Sequence, residues 1–519
     1  MDLQGDLSKV AKTMPVGGSD TVPGSDNGPI NMLTKFPDND PENPYNWSTR
    51  KKLFIITTTS MTLFNSTLAS SLPANAMHAI TTEFGVAQTP NNPQLALPIS
   101  LFLAGYIFGP LLFGPQSETS GRRQIMLVAF AGYTAFTLGC ALAPNWAVLL
   151  VFRLLCGVFA SAPLAAGAGI IADIYNDPVI RGRGMTCFYA GNIFAPLIAP
   201  AISGYISETT TWRWAFWVGV IVAGVSWVPL VFLPETYGPV LLARRAKSLR
   251  KQAVESGQGN SNIYAPIEME RKSWHAALAT VLARPVQMFF TELIVSTTSI
   301  YMALAYAVYY MFFQTYPIIF RDIYGMTPGF MGLMYLPIGA GIVLGLITCL
   351  LWDAYLARAR HAAKAWAFKE EYRRLPLACF GGPLYVVGLF WLGWTAREDV
   401  SWAVPCVAGT PFGMGNFLVS IALLNYLSDA YGVYSASVMA ASSCTRSIFG
   451  TALPLGSGEM YASLGVGWAT SLIGFISLAM CGIPFVFIYY GDVIRERSKF
   501  SQAVARDSLA IDGSGQQSS

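Results

Sequence analysis

From about residue 53 to residue 490 the chain alternates between apolar runs and short polar breaks. A helix rising 1.5 Å per residue needs roughly 20 mostly apolar residues to cross ~30 Å of hydrocarbon. About twelve runs qualify. The first six lie near 53–73, 94–115, 124–143, 147–171, 185–206 and 213–233. The second six lie near 286–316, 328–352, 375–395, 401–427, 433–458 and 467–490. Between the sets, "PETYGPVLLARRAKSLRK" opens a stretch that is charged, partly amphipathic and too polar to span. The expected division is therefore an N-terminal tail (1–52), a six-helix bundle (53–233), a linker (234–285), a second six-helix bundle (286–490) and a C-terminal tail (491–519).

Composition agrees with this reading. Only 12% of residues are charged and 53% are hydrophobic, whereas a soluble domain carries about 25% charged residues. So little charge cannot cover a water-facing surface, and the chain reads as an all-α integral membrane protein embedded in a lipid bilayer, with no nucleic-acid partner. The eight cysteines all fall inside apolar runs, which is neither a disulfide framework nor a zinc spacing. They read as small apolar packing residues. The first fifty residues are polar and hold no apolar core of a signal peptide; such a segment is expected to be disordered. It ends at Trp47 and Arg50-Lys51-Lys52, the pattern of an interfacial anchor.

The basic residues are unevenly placed. With a cytoplasmic N-terminus, the inner segments collect Arg122, Arg123, Arg181 and Arg183, the linker cluster from Arg244 to Arg284, Arg358 to Arg374, and the C-terminal tail. The outer loops hold only Arg213, Arg321 and Arg397. By the positive-inside rule both termini are cytoplasmic and the number of spans is even.

A charge at mid-membrane is costly, about 2.5–3.5 kcal/mol even on insertion scales, so each needs a reason. Arg153, Glu292 and Arg446 lie within spans. Glu292, Ser296, Ser299, Tyr306 and Tyr310 share one helical stripe of the seventh span. The stripe is read either as a cavity lining or as a helix–helix seam. A carboxyl there could exchange a proton between the two faces. Arg446 is open to a structural or a cavity role. Arg153 is expected in a central cavity, hydrogen-bonded to polar groups such as Asn65 or Asn192 rather than to Glu292. Asn65 opens the sequon "NST" inside the first span and is read as a polar cavity residue.

Other chemistries find little footing. There is no Gly-Lys pair and hence no P-loop, and no Gly-x-Ser-x-Gly elbow. His78, His275 and His361 fall outside the spans, so no metal site or cofactor is expected and the chain does not read as an enzyme.

Several stretches carry a specific resemblance. "GPQSETSGRRQIML" between the second and third spans resembles the loop signature of the major facilitator superfamily, in the form found in fungal twelve-span drug:proton antiporters. "FRLLCGVFASAPLAAGAGIIADIY" resembles that family's fourth-span arginine motif, with Arg153 and Gly157 in place. "GNIFAPLIAPAISGYI" resembles its antiporter motif, with Pro196, Pro200 and Gly204 kept and Ala195, Ala199 and Ser203 standing where glycines are usual. "WRWAFWVGV", "EEYRRLP" and "NYLSDAYGVYSASVMAASSCTRS" are similar to the family as well.

The resemblance implies twelve transmembrane helices in two six-helix bundles, with a small organic substrate bound near mid-membrane and rocking between the halves. It implies proton-coupled export by a functional monomer in the plasma membrane; an importer or facilitator of a small metabolite is the alternative on the same fold. It also implies a charge network of Glu118, Arg122, Arg123, Asp173, Arg181 and Arg183 that latches the cytoplasmic gate. Asp353, Arg358 and Arg360 would echo it in the second half.

Overall fold

A computed structural model describes residues 31–37, 39–89, 92–256, 263–269 and 274–497. Six long helices form the first half. They are Thr49–Ser71, Leu97–Thr119, Arg122–Ala141, Trp146–Ile174, Pro178–Thr209 and Arg213–Val231. In the second half Leu293–Tyr316, Leu336–His361, Glu370–Thr395 and Gly409–Tyr431 follow. The last apolar stretch, Ser435–Gly491, is 57 residues long. At 1.5 Å per residue it would reach roughly 85 Å, far more than one bilayer crossing. Gly465 breaks it, with φ 72°, and the chain turns back there.

Ten helices among the described residues are long and apolar enough to cross a membrane, the 57-residue stretch counted as one. Splitting that stretch at Gly465 and adding Thr49–Ser71 fits twelve crossings. Thr49–Ser71 falls short in hydropathy because it is rich in hydroxyls. Those groups are satisfied within the helix itself. Thr58, Thr59, Ser66 and Thr67 each donate to the carbonyl four residues back, at 2.8–2.9 Å, so these hydroxyls can be buried without being orphaned.

Proline places a useful defect in the fifth span. Pro200 has no N–H, so the carbonyl of Pro196 loses its helical donor. Ser71 Oγ donates to that carbonyl at 2.6 Å and thereby ties the end of the first span to the fifth. Ala195, Ala199 and Ser203 are fully buried on the same helix.

The N-terminal segment is more ordered than its composition predicts. Asn31–Met32 pairs in parallel with Ile263–Tyr264 of the linker. Arg245, on the linker helix Gly238–Glu255, pairs with Asp40. Leu33 and Phe36 pack on Leu242, Ala246 and Ala265. A small apolar cluster on a partner segment, invisible to local composition, orders this stretch. Residues 1–30 and 498–519, which hold most of the two expected tails, lie outside the described residues.

Candidate functional site

The middle of the bundle holds a small cavity of about 30 Å³ between the two halves. Thr67, Tyr189, Asn192 and Pro196 line it from the first half. Tyr306, Tyr309, Tyr310, Asn416, Ser420 and Arg446 line it from the second. Tyr310 hydroxyl meets Ser70 Oγ at 3.0 Å, and Tyr309 donates to the carbonyl of Ile193 at 2.7 Å. These bonds cross between the halves. The Tyr306 and Tyr310 rings lie 4.9 Å apart, and the Arg446 guanidinium sits 5.7 Å from the Tyr306 ring centre.

Arg446 forms no ion pair or hydrogen bond among the described residues, and its Nε is buried without a partner. Asn192 Oδ1 and Asn416 Oδ1 are likewise buried without partners. Buried polar atoms are nearly always satisfied in a finished interior. Three such atoms gather around this one cavity.

The structure separates the expected site residues into two sets. Asn192, Pro196, Tyr306, Tyr310 and Arg446 line the cavity. Asn65, Arg153, Ser296, Ser299 and Glu292 do not.

Arg153 is 1% exposed and donates to three backbone carbonyls: Pro98 at 2.7 Å, Ala69 at 2.8 Å and Ser70 at 2.7 Å. It also stacks over Phe102 at 4.5 Å. The expected bonds to Asn65 or Asn192 are not made. Arg153 is a clasp on the first, second and fourth spans: Ala69 and Ser70 offer carbonyls freed at the end of the first span, Pro98 offers one at the start of the second, and the planar guanidinium reaches all three. Asn65 faces the interior of the first half instead, where Tyr133 donates to both its carbonyl and its Oδ1 at 3.0 Å.

The stripe on the seventh span is broken at its start. Glu292 stands with extended backbone at the junction of Trp274–Thr291 and Leu293–Tyr316. It is 4% exposed and accepts from Tyr431 hydroxyl at 3.1 Å. Ser296 bonds back to the Glu292 carbonyl at 3.2 Å, and Ser299 is buried. Most of the seventh span is buried on every side, so a polar stripe does not single out the face that lines the cavity.

Two charge clusters occupy the linker face. In the first half Arg122 Nε binds Asp173 at 3.2 Å and its Nη1 binds Ser117 Oγ at 2.6 Å. Glu235, which the sequence reading passed over within "LPETYGP", is 5% exposed. It accepts the backbone N–H of Arg122 at 2.9 Å, of Arg123 at 3.3 Å, and of Thr236 and Tyr237 at 3.0 Å. Gly121 is forced by this arrangement: its φ is 97° and a Cβ there would overlap the Glu235 carboxylate. Glu118 points out to solvent and takes no part in the cluster. The acid that meets Arg122 comes from the fourth span, since a residue four positions back on a different helix faces away. Arg123 donates to the Val231 carbonyl. Arg181 is half-buried and Arg183 exposed, and neither forms a described ion pair.

In the second half Arg374 binds Asp429 at 3.3 Å and Asp353 at 3.8 Å. The expected partners of Asp353, Arg358 and Arg360, lie elsewhere. The two clusters correspond: each places an arginine at the start of one span against an acid at the end of the next.

On the opposite face the two halves meet directly. Asn75 Nδ2 donates to the carbonyls of Pro200 and Pro328, both at 3.0 Å, and Glu208 accepts from Gly329 N–H at 2.7 Å. A Cβ on Gly204 would overlap the Pro328 carbonyl, and one on Gly332 would overlap Ala201. Beside this contact lies a cleft of about 470 Å³ with His78, Arg321 and Asp322 in its wall.

Residues 54–454 match the family model described as Major Facilitator Superfamily. The chain is 38% identical to the MFS transporter prlG of a fungal species, over 88% of this chain and 95% of the relative. It is 38% identical to the MFS-type efflux pump MFS2 of Trichophyton rubrum, over 92% and 79%. It is 35% identical to the major facilitator superfamily multidrug transporter mdrA of Aspergillus fumigatus, over 96% and 79%. The fold is similar to that of the xylose transporter XylE from E. coli in a partially occluded inward-open conformation. The TM-score is 0.61 at 15% identity, covering 85% of this chain and 98% of that one.

Proposed function

This chain belongs to the major facilitator superfamily, a fold of membrane-embedded secondary transporters, and we propose that it exports small amphipathic or hydrophobic organic compounds in exchange for protons. The observation that carries this reading is the small cavity between the halves. It is aromatic, it holds unpartnered polar atoms, and on the face opposite the linker the two halves meet through Asn75, Glu208 and Pro328–Gly329. At about 30 Å³ it holds roughly one water. A larger solute can enter only when the halves part on one face, which is the geometric requirement of alternating access. Export as the direction is supported by the printed names of the relatives, which include an efflux pump and a multidrug transporter.

In this reading Asn192, Tyr306, Tyr310 and Arg446 contact substrate. The cluster around Arg122, Asp173 and Glu235 latches the cytoplasmic side, and Pro196, Pro200 and Gly204 serve the closure on the outer side. Glu292 carries the proton. Its carboxyl is buried at a helix break, and Tyr431 bonds it whether it is charged or neutral. The protein works as a monomer in the plasma membrane with both termini in the cytoplasm.

The test is flux of a fluorescent hydrophobic compound in proteoliposomes under an imposed pH step. Wild type follows the step, and Glu292→Gln still moves compound down its own gradient but ignores the step. A Glu292→Gln response equal to wild type removes Glu292 from the coupling. No flux from wild-type protein with any compound removes the carrier reading.

A further inference from the structure

We infer that the central cavity selects substrates bearing an anionic group, a carboxylate or similar acid on an aromatic body, with Arg446 as the group that binds the charge. This deepens the export reading and rests on it only for the direction of movement.

The argument starts from charge. Arg446 is the one ionisable group in the cavity wall that is charged at neutral pH; the other lining residues are tyrosines, amides, hydroxyls and apolar side chains. A guanidinium stays protonated under all working conditions. A cation inside a membrane protein is ordinarily paired with an acid or with carbonyls, and Arg153 in this same chain shows the paired arrangement, with all its bonds on carbonyls. Arg446 has no such partner. None of the described acids meets it, and its Nε is buried and unbonded. Glu292 is engaged by Tyr431 instead.

The surroundings then narrow the ligand. Tyr189, Tyr306, Tyr309 and Tyr310 offer ring faces and edges beside the cation. Flat aromatic bodies stack on such rings. Asn192 and Asn416 hold unpartnered amide oxygens, and Asn416 is 4% exposed. They accept from hydroxyl or N–H groups on the same ligand. A fork-shaped donor matches a carboxylate at two points. A cationic compound would meet an uncompensated positive charge in a low-dielectric site and be rejected.

The probes are 2-naphthoate, its neutral amide 2-naphthamide, and the cation 2-naphthylmethylammonium. Binding to the full-length protein in lipid nanodiscs is measured by calorimetry. The expected order is naphthoate tightest and the ammonium compound weakest. Arg446→Gln is expected to weaken naphthoate by about tenfold or more, the loss of a charge-assisted pair, and to weaken naphthamide far less. Arg446→Lys keeps the preference for the anion with weaker binding, and it serves as the readout if the glutamine variant does not fold.

Equal affinity of wild type for naphthoate and naphthamide overturns the inference. So does tighter binding of the ammonium probe, or naphthoate binding that survives in Arg446→Gln. Displacement of naphthoate by millimolar chloride would make the site one for inorganic anions and likewise overturn it. If naphthoate binds through Arg446 but never crosses the membrane in proteoliposomes, the export reading fails and this one stands. If neutral or cationic compounds are transported and Arg446 is dispensable for them, the reverse holds.

Discussion

Arg153 and Tyr310 do not touch, yet both hold Ser70. The guanidinium takes its carbonyl at 2.7 Å and the phenol meets its hydroxyl at 3.0 Å. One residue at the end of the first span thus joins a clasp inside the first half to a contact between the halves. The clasp ties the fourth span to the end of the first and the start of the second, and the contact joins the halves beside the cavity. Arg153 therefore supports the site without lining it.

Arg153→Lys is expected to act on stability. A lysine cannot satisfy three carbonyls spread over two helices, and each buried carbonyl left unbonded costs about 1–3 kcal/mol. The melting temperature of the purified variant should fall by several degrees, while the protein that remains folded keeps wild-type binding of 2-naphthoate. An unchanged melting temperature with lost binding would move Arg153 into the site itself.

Asp173→Asn and Glu235→Gln should loosen the closure on the linker face. Each removes a charged partner of Arg122 or its backbone, and hydrogen bonds to charged groups contribute about 1.5–3 kcal/mol. A cysteine placed at Thr67, in a background without the native cysteines, should be labelled from the linker face about tenfold faster, given 1.4 kcal/mol per factor of ten. Glu118→Ala should label like wild type, since Glu118 is outside the cluster. Faster labelling from Glu118→Ala than from Asp173→Asn would contradict the assignment.

On the opposite face, Gly204→Val should hold the halves apart. A side chain there overlaps the Pro328 carbonyl, which belongs to backbone and cannot swing aside. A cysteine at His78, in the cleft beside this contact, should become several-fold more reactive to a membrane-impermeant maleimide, the direction expected when a close glycine contact between helices is filled. Reactivity equal to wild type would show that the two faces part without disturbing this contact.

The tail–linker contact should weaken in acid. A hydrogen bond from Arg250 holds the Glu268 carboxyl below its ordinary value, against the opposing pull of partial burial. A carboxyl depressed on folding stabilises the folded form above its unfolded pKa, about 4.3, and that contribution fades as pH falls through the lower folded value. The pair is partly exposed, so the effect is small, at most about 1 kcal/mol. Proteolytic cutting between residues 31 and 48 should therefore rise below about pH 4, and Arg250→Ala should cut readily at neutral pH. Cutting that is unaffected by Arg250→Ala would mean that the apolar contacts of Leu33 and Phe36 suffice.

Some of the site could be read from residues alone. Arg446 and the two tyrosines of the seventh span are polar groups in runs that should be apolar, and that contrast is local. Asn416 and Ser420 carried the same signal in the tenth span. Glu235 was hidden because an acid just past the end of a span looks like ordinary linker. Its function is to accept N–H groups from a helix start more than a hundred residues earlier. Glu118 misled because the resemblance placed it in the charge network, whereas its side chain faces solvent.

The all-α, membrane-spanning character of the chain and the identity of the costly polar residues within its spans follow from the sequence. Transfer of a segment into hydrocarbon is close to a sum over its own residues, so it needs no knowledge of neighbours. The partners of those polar residues were decided by the tertiary structure. Sequence sets how deep a side chain lies and on which side of its own helix. It does not say which other helix end, with its unspent carbonyls or N–H groups, is packed there. Arg153 found three carbonyls and became a clasp, while Arg446, just as deep in an apolar run, found none and was left facing the cavity.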